Sequence, residues 1–122
     1  MLANDTLAPA FAGATLYQAY LSPLCDHRWH SPVSGTVKKA YLLDGTYFAG
    51  AASHGFDAAG PNDHQAYITE LATRAVIFIE ADNPDIGLMC FLAVGMAEVS
   101  TCEMTVYAQP IPVNARIARL VK

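Results

Sequence analysis

Four consecutive residues of this 122-residue chain, His27, Arg28, Trp29 and His30, bring together side chains that can do chemistry. Histidine gains and loses a proton near neutral pH, so it serves as a general acid or base. Arginine presents a fork of donors that matches carboxylates and phosphates. Trp29 is interpreted as a packing residue or as a platform for an aromatic substrate. The combination predicts a site that binds an acid and moves a proton.

The same residues also have simpler interpretations, in which they form no catalytic site. Two histidines three apart in a loop are often satisfied by backbone and solvent alone. A zinc site would need further ligands, and no carboxylate or thiol stands at helical ligand spacing, so no metal is predicted. Cys25 lies near His27, but neighbouring residues of an extended chain point apart, which disfavours a cysteine nucleophile. His54 and His64 fall in a polar stretch and are predicted to be solvated.

Composition limits the class of protein. Hydrophobic residues make up 53% of the chain and charged residues 15%, which is enough apolar material for a core and excludes disorder. The net charge of −4, with no basic run, argues against nucleic acid as a partner. Three cysteines without a CxxC pair, and no recognisable signal peptide, predict reduced thiols and a cytoplasmic location.

The longest apolar run, residues 86–94, is about half of what a membrane-spanning helix needs. It is therefore predicted to be a buried strand, and no transmembrane segment is expected, although peripheral contact with a membrane stays open. Arg74 begins another apolar run, where it is either an ion-pair partner or a clamp for substrate.

The elements that must position the site are mostly strands. Strands are typically bounded by turn signals. Between those signals, apolar and polar residues alternate, or β-branched and aromatic residues are frequent. The predicted strands are residues 16–20, 36–43, 74–80, 87–94 and 101–107. Short helices are predicted within residues 4–11 and 64–73, and residues 51–63 as a surface loop. The expected fold class is mainly β (α+β), with antiparallel sheets and one or two short helices.

Two motifs carry a family resemblance. Residues 21–35 read Leu-Ser-Pro-Leu-Cys-Asp-His-Arg-Trp-His-Ser-Pro-Val-Ser-Gly, which resembles the phosphatidylserine decarboxylase signature Leu-Ser-Pro-x-Asp-Tyr-His-Arg-x-His-x-Pro-x-x-Gly. The strand at residues 73–82 and the Val-Gly-Met-Ala-Glu-Val-Ser-Thr of residues 94–101 match a second family element in the right order. The sequence of these two motifs is most similar to the soluble branch of the family, which includes L-tryptophan decarboxylases.

The resemblance implies a pyruvoyl-dependent decarboxylase acting on an amino acid or on phosphatidylserine. In that family a serine of a Gly-Ser bond becomes a pyruvoyl group, which forms a Schiff base with the substrate amine and withdraws electrons. By position, His27 would assist decarboxylation or protonation, and His30 would act in self-cleavage. Both are therefore predicted catalytic residues, and Arg28 and Trp29 are predicted substrate-binding residues.

Departures from the family pattern shape the remaining expectations. Cys25 and Asp26 stand where the family has Asp-Tyr, so the aspartate is shifted by one residue. Residues 1–106 are predicted to be a partial family domain, and residues 107–122 a tail that does not match. The Gly-Ser processing motif is absent from these residues, so the chain alone is expected to be inactive. It would need the missing segment in trans, or form a homo-oligomer through an unpaired strand edge near Tyr107. The alternative is a non-catalytic remnant or binding scaffold.

Overall fold

The computed structural model describes residues 1–22, 24–47, 64–97 and 99–121. Their fold is built from antiparallel sheets with one 3₁₀ helix (Ala8–Phe11) and one α-helix, α1 (Gln65–Leu71), so the predicted fold class is confirmed. The strands are β1 (Arg28–His30), β2 (Gly35–Leu43), β3 (Arg74–Ala81), β4 (Leu88–Val94), β5 (Thr101–Met104), β6 (Pro110–Ile111) and β7 (Arg116–Val121). The predicted loop at residues 51–63, including His54, lies outside the described residues. Neither described helix is long and apolar enough to cross a membrane.

The larger sheet has the strand order β4-β3-β2-β6. β3 is central and pairs antiparallel with both β2 and β4. Its residues Ala75 to Ile79 are completely buried, which suits a strand rich in β-branched and aromatic side chains. β3 and β4 form the predicted hairpin, and its turn ends at Gly87, whose φ of +64° favours glycine.

The smaller sheet, β1-β7-β5, packs against one face of the larger sheet. Their contact is a core of apolar side chains contributed by both sheets. Its fully or nearly buried members are Val37, Ile77, Ile79, Val106, Ile111, Ile117 and Ala118. Trp29 and Phe91 pack against this core from the side, so β1 is anchored next to the edge strand β4.

The N-terminal residues cover the opposite face of the larger sheet. The ring of Phe11 lies 5.7 Å from that of Phe78. Lys39 forms an ion pair with Asp5. The Arg74 guanidinium donates to the backbone carbonyls of Met1, Glu70 and Ala72 at 2.9, 3.2 and 2.8 Å. Arg74 therefore ties the chain start and the end of α1 to β3 through these backbone carbonyls.

Two local predictions differ from the structure. Residues 16–20 form no strand and are exposed, with Leu16 66% and Tyr17 88% accessible. Alternating side chains predict an extended backbone, but they do not supply a neighbouring strand to pair with. The histidine-containing segment, for which no strand is predicted, contains β1, because β7 pairs with it.

The C-terminal residues take part in both sheets. Residues 107–122 were predicted to be a tail, and they contain β6, which pairs with β2, and β7, which lies between β1 and β5. β7 pairs with one edge of β5, so the expectation that the strand near Tyr107 lacks a partner is wrong for that edge. Proline at position 110 is tolerated because β6 lies at the edge of its sheet.

Candidate functional site

A cavity of about 870 Å³ is bounded by β4, residues 14–21, α1 and the residues around the start of β1. We call it the β4 cavity. Its walls are mostly apolar, with Leu88, Phe91 and Leu92 among the contributions of β4. None of its described lining residues is Lys, Arg, Asp or Glu. Its volume falls in the range of small-molecule sites, and its walls fit a largely apolar ligand.

His27 and Trp29 both line the β4 cavity, and Arg28 and His30 do not. The exposure alternates along the segment: His27 and Trp29 are half-buried, whereas Arg28 and His30 are exposed. This alternation follows from the extended backbone, in which successive side chains point to opposite faces. The structure therefore brings one predicted catalytic residue and one predicted substrate-binding residue to the cavity, and it turns the other two away.

The polar atoms of the two inward-facing residues have no partners. His27 Nδ1, His27 Nε2 and Trp29 Nε1 are buried, and none of them has a hydrogen-bond partner within the described residues. Burying an unsatisfied donor or acceptor costs about 1–3 kcal/mol, and native proteins rarely accept it without reason. These three nitrogens are therefore unsatisfied beside the β4 cavity, and each has less than 1 Å² of accessible surface, so a ligand would reach them only after a side chain moves.

Packing fixes the position of Trp29. Its ring meets that of Phe91 edge-on, with centroids 5.8 Å apart and an interplanar angle of 64°. It also contacts both clusters of buried side chains. Trp29 is therefore a packing residue, as one of the two interpretations has it, and its role as a platform for an aromatic substrate stays a prediction.

The outward-facing residues make a different environment. Arg28 Nη1 lies 3.1 and 3.2 Å from the two carboxylate oxygens of Asp26, and both side chains are exposed. The shifted aspartate is thus the partner of Arg28. His30 lies on the same exposed side, next to a register irregularity in the pairing of β1 with β7. The two histidines do not share the β4 cavity.

Other candidate groups contribute little reactivity. Cys90 lines the cavity, but burial raises the pKa of its thiol to about 12, so it stays protonated at neutral pH. Burial likewise raises the pKa of Cys102 to about 11. Ser100 is buried, and its backbone packs closely against Gly95. Within the described ranges, no group of three potential ligands is placed to hold a metal ion.

Sequence reasoning did not identify the walls of the cavity. Residues 16–20 are predicted to be a strand, and Cys90 and Phe91 to be parts of a core strand. The available signal was the density of large apolar side chains in residues 16–20, which have no role in the core of the two sheets.

Comparison with known proteins agrees with the two motifs. The sequence model of the phosphatidylserine decarboxylase family matches residues 1–119. The chain is 50% identical to decarboxylase iboD of Amanita muscaria, over 87% of this chain and 34% of that protein. It is 41% identical to an L-tryptophan decarboxylase of Psilocybe cubensis, over 87% of this chain and 26% of that protein.

A bacterial relative extends the comparison. A phosphatidylserine decarboxylase proenzyme of Bacillus thuringiensis is 33% identical, over 85% of this chain and 36% of that protein. The chain thus spans about a third of the length of the curated relatives that it matches. The resemblance seen in the motifs is confirmed, and the chain belongs to the phosphatidylserine decarboxylase family.

Proposed function

We propose that this chain supplies the substrate pocket and the proton-transferring histidine of a pyruvoyl-dependent decarboxylase that acts on an amino acid. The observation that carries the proposal is His27, whose two ring nitrogens are buried without partners in the β4 cavity. Histidine is also the one described lining residue type that ordinarily titrates near neutral pH.

Decarboxylation leaves an electron pair on the α-carbon of the substrate, and a proton must then be delivered there. His27 is placed to deliver it from inside an apolar cavity. The apolar walls would also favour the step before protonation, in which the substrate loses its carboxylate. Since no described lining residue is Lys or Arg, and the Met1 ammonium is paired with Glu70 at 2.6 Å, the substrate carboxylate would have no ion pair with a Lys or Arg side chain to lose when it departs as carbon dioxide.

The pyruvoyl group would come from outside these residues, which contain no Gly-Ser step. When bound, it withdraws electrons from the bond to the departing carboxylate. The unpartnered nitrogens of His27 fit a polar group of this kind within apolar surroundings. The segment that carries it would act as part of the same chain or in trans. A homo-oligomer is a separate proposal about assembly, since further copies of these residues bring no Gly-Ser step.

An amino acid is preferred to phosphatidylserine as the substrate for two reasons. A phosphodiester is usually held by Arg or Lys, and the described lining of the β4 cavity has neither. The relative named L-tryptophan decarboxylase is also 41% identical, against 33% for the bacterial phosphatidylserine decarboxylase. We place the enzyme in the cytoplasm, because its three cysteines are all free.

A chimera tests the proposal. This chain would replace the aligned third of the Amanita muscaria relative, which supplies the remaining two thirds. We expect self-cleavage, visible by mass spectrometry, and release of carbon dioxide from an amino acid but not from phosphatidylserine vesicles. The 122-residue chain alone should release none from either.

Two matched variants assign the roles of the histidines. His27→Asn should still allow cleavage and should slow carbon dioxide release by about 100-fold or more, which is the usual contribution of a general acid. His30→Asn, on the exposed side of β1, should affect cleavage and leave the rate of already cleaved enzyme intact. Full activity of His27→Asn would refute the proposed role. A chimera that binds amino acids without cleaving or reacting would support the non-catalytic scaffold instead.

A further inference from the structure

One side of β4 presents backbone groups that no described strand uses, because β4 is the last strand of the larger sheet. At one end of its pairing with β3, Ala81 donates its N–H to the Gly87 carbonyl at 3.0 Å. At the other end, Gly95 donates to the Thr73 carbonyl at 2.8 Å. Hydrogen-bonded pairs of an antiparallel ladder recur every second residue, so the odd-numbered residues of β4 bond to β3. The even-numbered residues direct their N–H and C=O groups away from β3, and they are Leu88, Cys90, Leu92 and Val94.

The free edge of β4 lacks the features that usually prevent a further strand from pairing. Natural edge strands commonly carry a charged side chain or a proline at such an edge. β4 reads Leu-Met-Cys-Phe-Leu-Ala-Val and has neither. Its free edge is therefore suited to one more strand.

A second segment without a strand partner lines the same cavity. We call residues 15–21, Thr-Leu-Tyr-Gln-Ala-Tyr-Leu, the strap. The strap is uncharged, and its residue types favour strands. Within the described part of the chain, its backbone makes no hydrogen bond, and its one side-chain hydrogen bond joins Gln18 to Gln65 at 3.5 Å. Its largest side chains, Leu16, Tyr17 and Tyr20, are exposed.

We propose that the strap pairs with the free edge of β4 as an additional strand, and that this docked state closes the β4 cavity. The strap and β4 have the same length, seven residues, and both line the cavity. Docking would satisfy the outward backbone groups of β4 and cover apolar side chains of the strap. The structure described here is the undocked state. The inference concerns the conformation of these residues, so it does not depend on the proposed reaction.

The strap is tethered at both ends, which makes docking an intramolecular step with a high effective concentration. Before the strap, Phe11 packs against Phe78 of the larger sheet. After it, β1 is paired with β7. Gly13, two residues before the strap, has a φ of +76° and open space on its Cβ side, so the backbone can turn there. A ligand would enter the cavity only in the undocked fraction of molecules, which lowers its apparent affinity.

Hydrogen exchange of the β4 amides, followed by NMR on the unmodified chain, tests for the docked state. The amides that bond to β3 are the reference for an intact sheet, and they belong to Met89, Phe91 and Ala93. The four outward amides should exchange at least about 10-fold more slowly than unstructured amides, because docking protects them. Exchange at the unstructured rate would overturn the proposal. Protection that rises with protein concentration would assign the edge to a second copy of the chain, and would overturn it as well.

Two adjacent proline variants test whether the strap is the source of this protection. Gln18→Pro and Ala19→Pro each remove one N–H, and successive N–H groups of a strand point to opposite sides, so one of the two faces β4 whatever the register. At least one variant should return the four outward amides toward unstructured rates, while the reference amides stay protected. Gln18→Ala and Ala19→Ser keep the N–H and are the matched controls. Unchanged protection in both proline variants would refute docking of the strap.

Access to the cavity is measured at Cys90, which lines it. In the proline variant that releases the strap, labelling of Cys90 by a thiol reagent should accelerate by about the factor by which amide protection falls. Mass spectrometry of the labelled peptide distinguishes Cys90 from the other two cysteines. Unchanged labelling would show that the docked strap leaves the cavity open, which would overturn its control of access. No step of the test uses catalytic activity, so its failure would leave the proposed function standing.

Discussion

The thiol of Cys90 allows a quantitative test of the environment in the β4 cavity. Burial raises the pKa of this thiol from 9.0 to about 12. At pH 8 the thiolate fraction therefore falls from about a tenth to about one in ten thousand, roughly a thousandfold. A more basic thiolate is a better nucleophile, which restores part of the rate, so the net expectation is a reaction about 30- to 60-fold slower than that of an unshifted thiol.

The assay is labelling with an aromatic disulfide reagent, which reports each released thiolate by absorbance. The unmodified chain should show one fast thiol, from the exposed Cys25, and two slow ones. Cys102 should also be slow, because its side chain is buried and its pKa is raised to about 11. In denaturant all three should react at similar rates, which serves as the reference.

Two variants assign the phases. Cys25→Ser should remove the fast phase, and Cys90→Ser should remove one of the two slow phases. A fast thiol that persists in Cys25→Ser and disappears in Cys90→Ser would show that the cavity is polar or wet around β4. That result would undermine the argument that apolar walls surround His27, and it would restore Cys90 as a candidate nucleophile.

Three further predictions concern stability, each measured by urea denaturation. Gly95→Ala should lower the free energy of unfolding by about 1–3 kcal/mol, because its Cβ would lie 2.7 Å from a backbone oxygen. Lys39 holds the pKa of Asp5 below 3.8, so this ion pair stabilises the fold above about pH 4, and the contribution should disappear as the pH falls through the lower folded pKa. Asp5→Asn should therefore differ from the unmodified chain at pH 6 and converge with it in strong acid. His27→Leu should raise the free energy of unfolding by about 1 kcal/mol, since it removes two unpartnered nitrogens.

Local sequence signals predicted the larger sheet well. The β-branched and aromatic residues of β3, and the turn before β4, specify a buried strand and a hairpin without distant information. The small helix and the second strand, β2, followed from similar local patterns. These elements support the candidate site from below the β4 cavity.

Pairings between distant residues were not predictable in the same way. β1 pairs with β7, which lies nearly ninety positions further along the chain, and no local pattern predicts that pairing. The β2 register also shifts between Val37 and Lys39, which local alternation does not reveal. Residues 16–20 show the converse error: their pattern is strand-like, but the fold provides no strand beside them.

The placement of the two histidines follows from one geometric fact about the segment that carries them. For His27 and His30 to meet one ligand, the backbone between them would have to bend. It remains extended instead, because Arg28–His30 pairs with β7, and an odd spacing of three then places the two rings on opposite faces. Trp29 takes the place beside His27 for the same reason, since the two residues are separated by an even spacing. The segment therefore brings His27 and Trp29 to the cavity and keeps His30 on the exposed side.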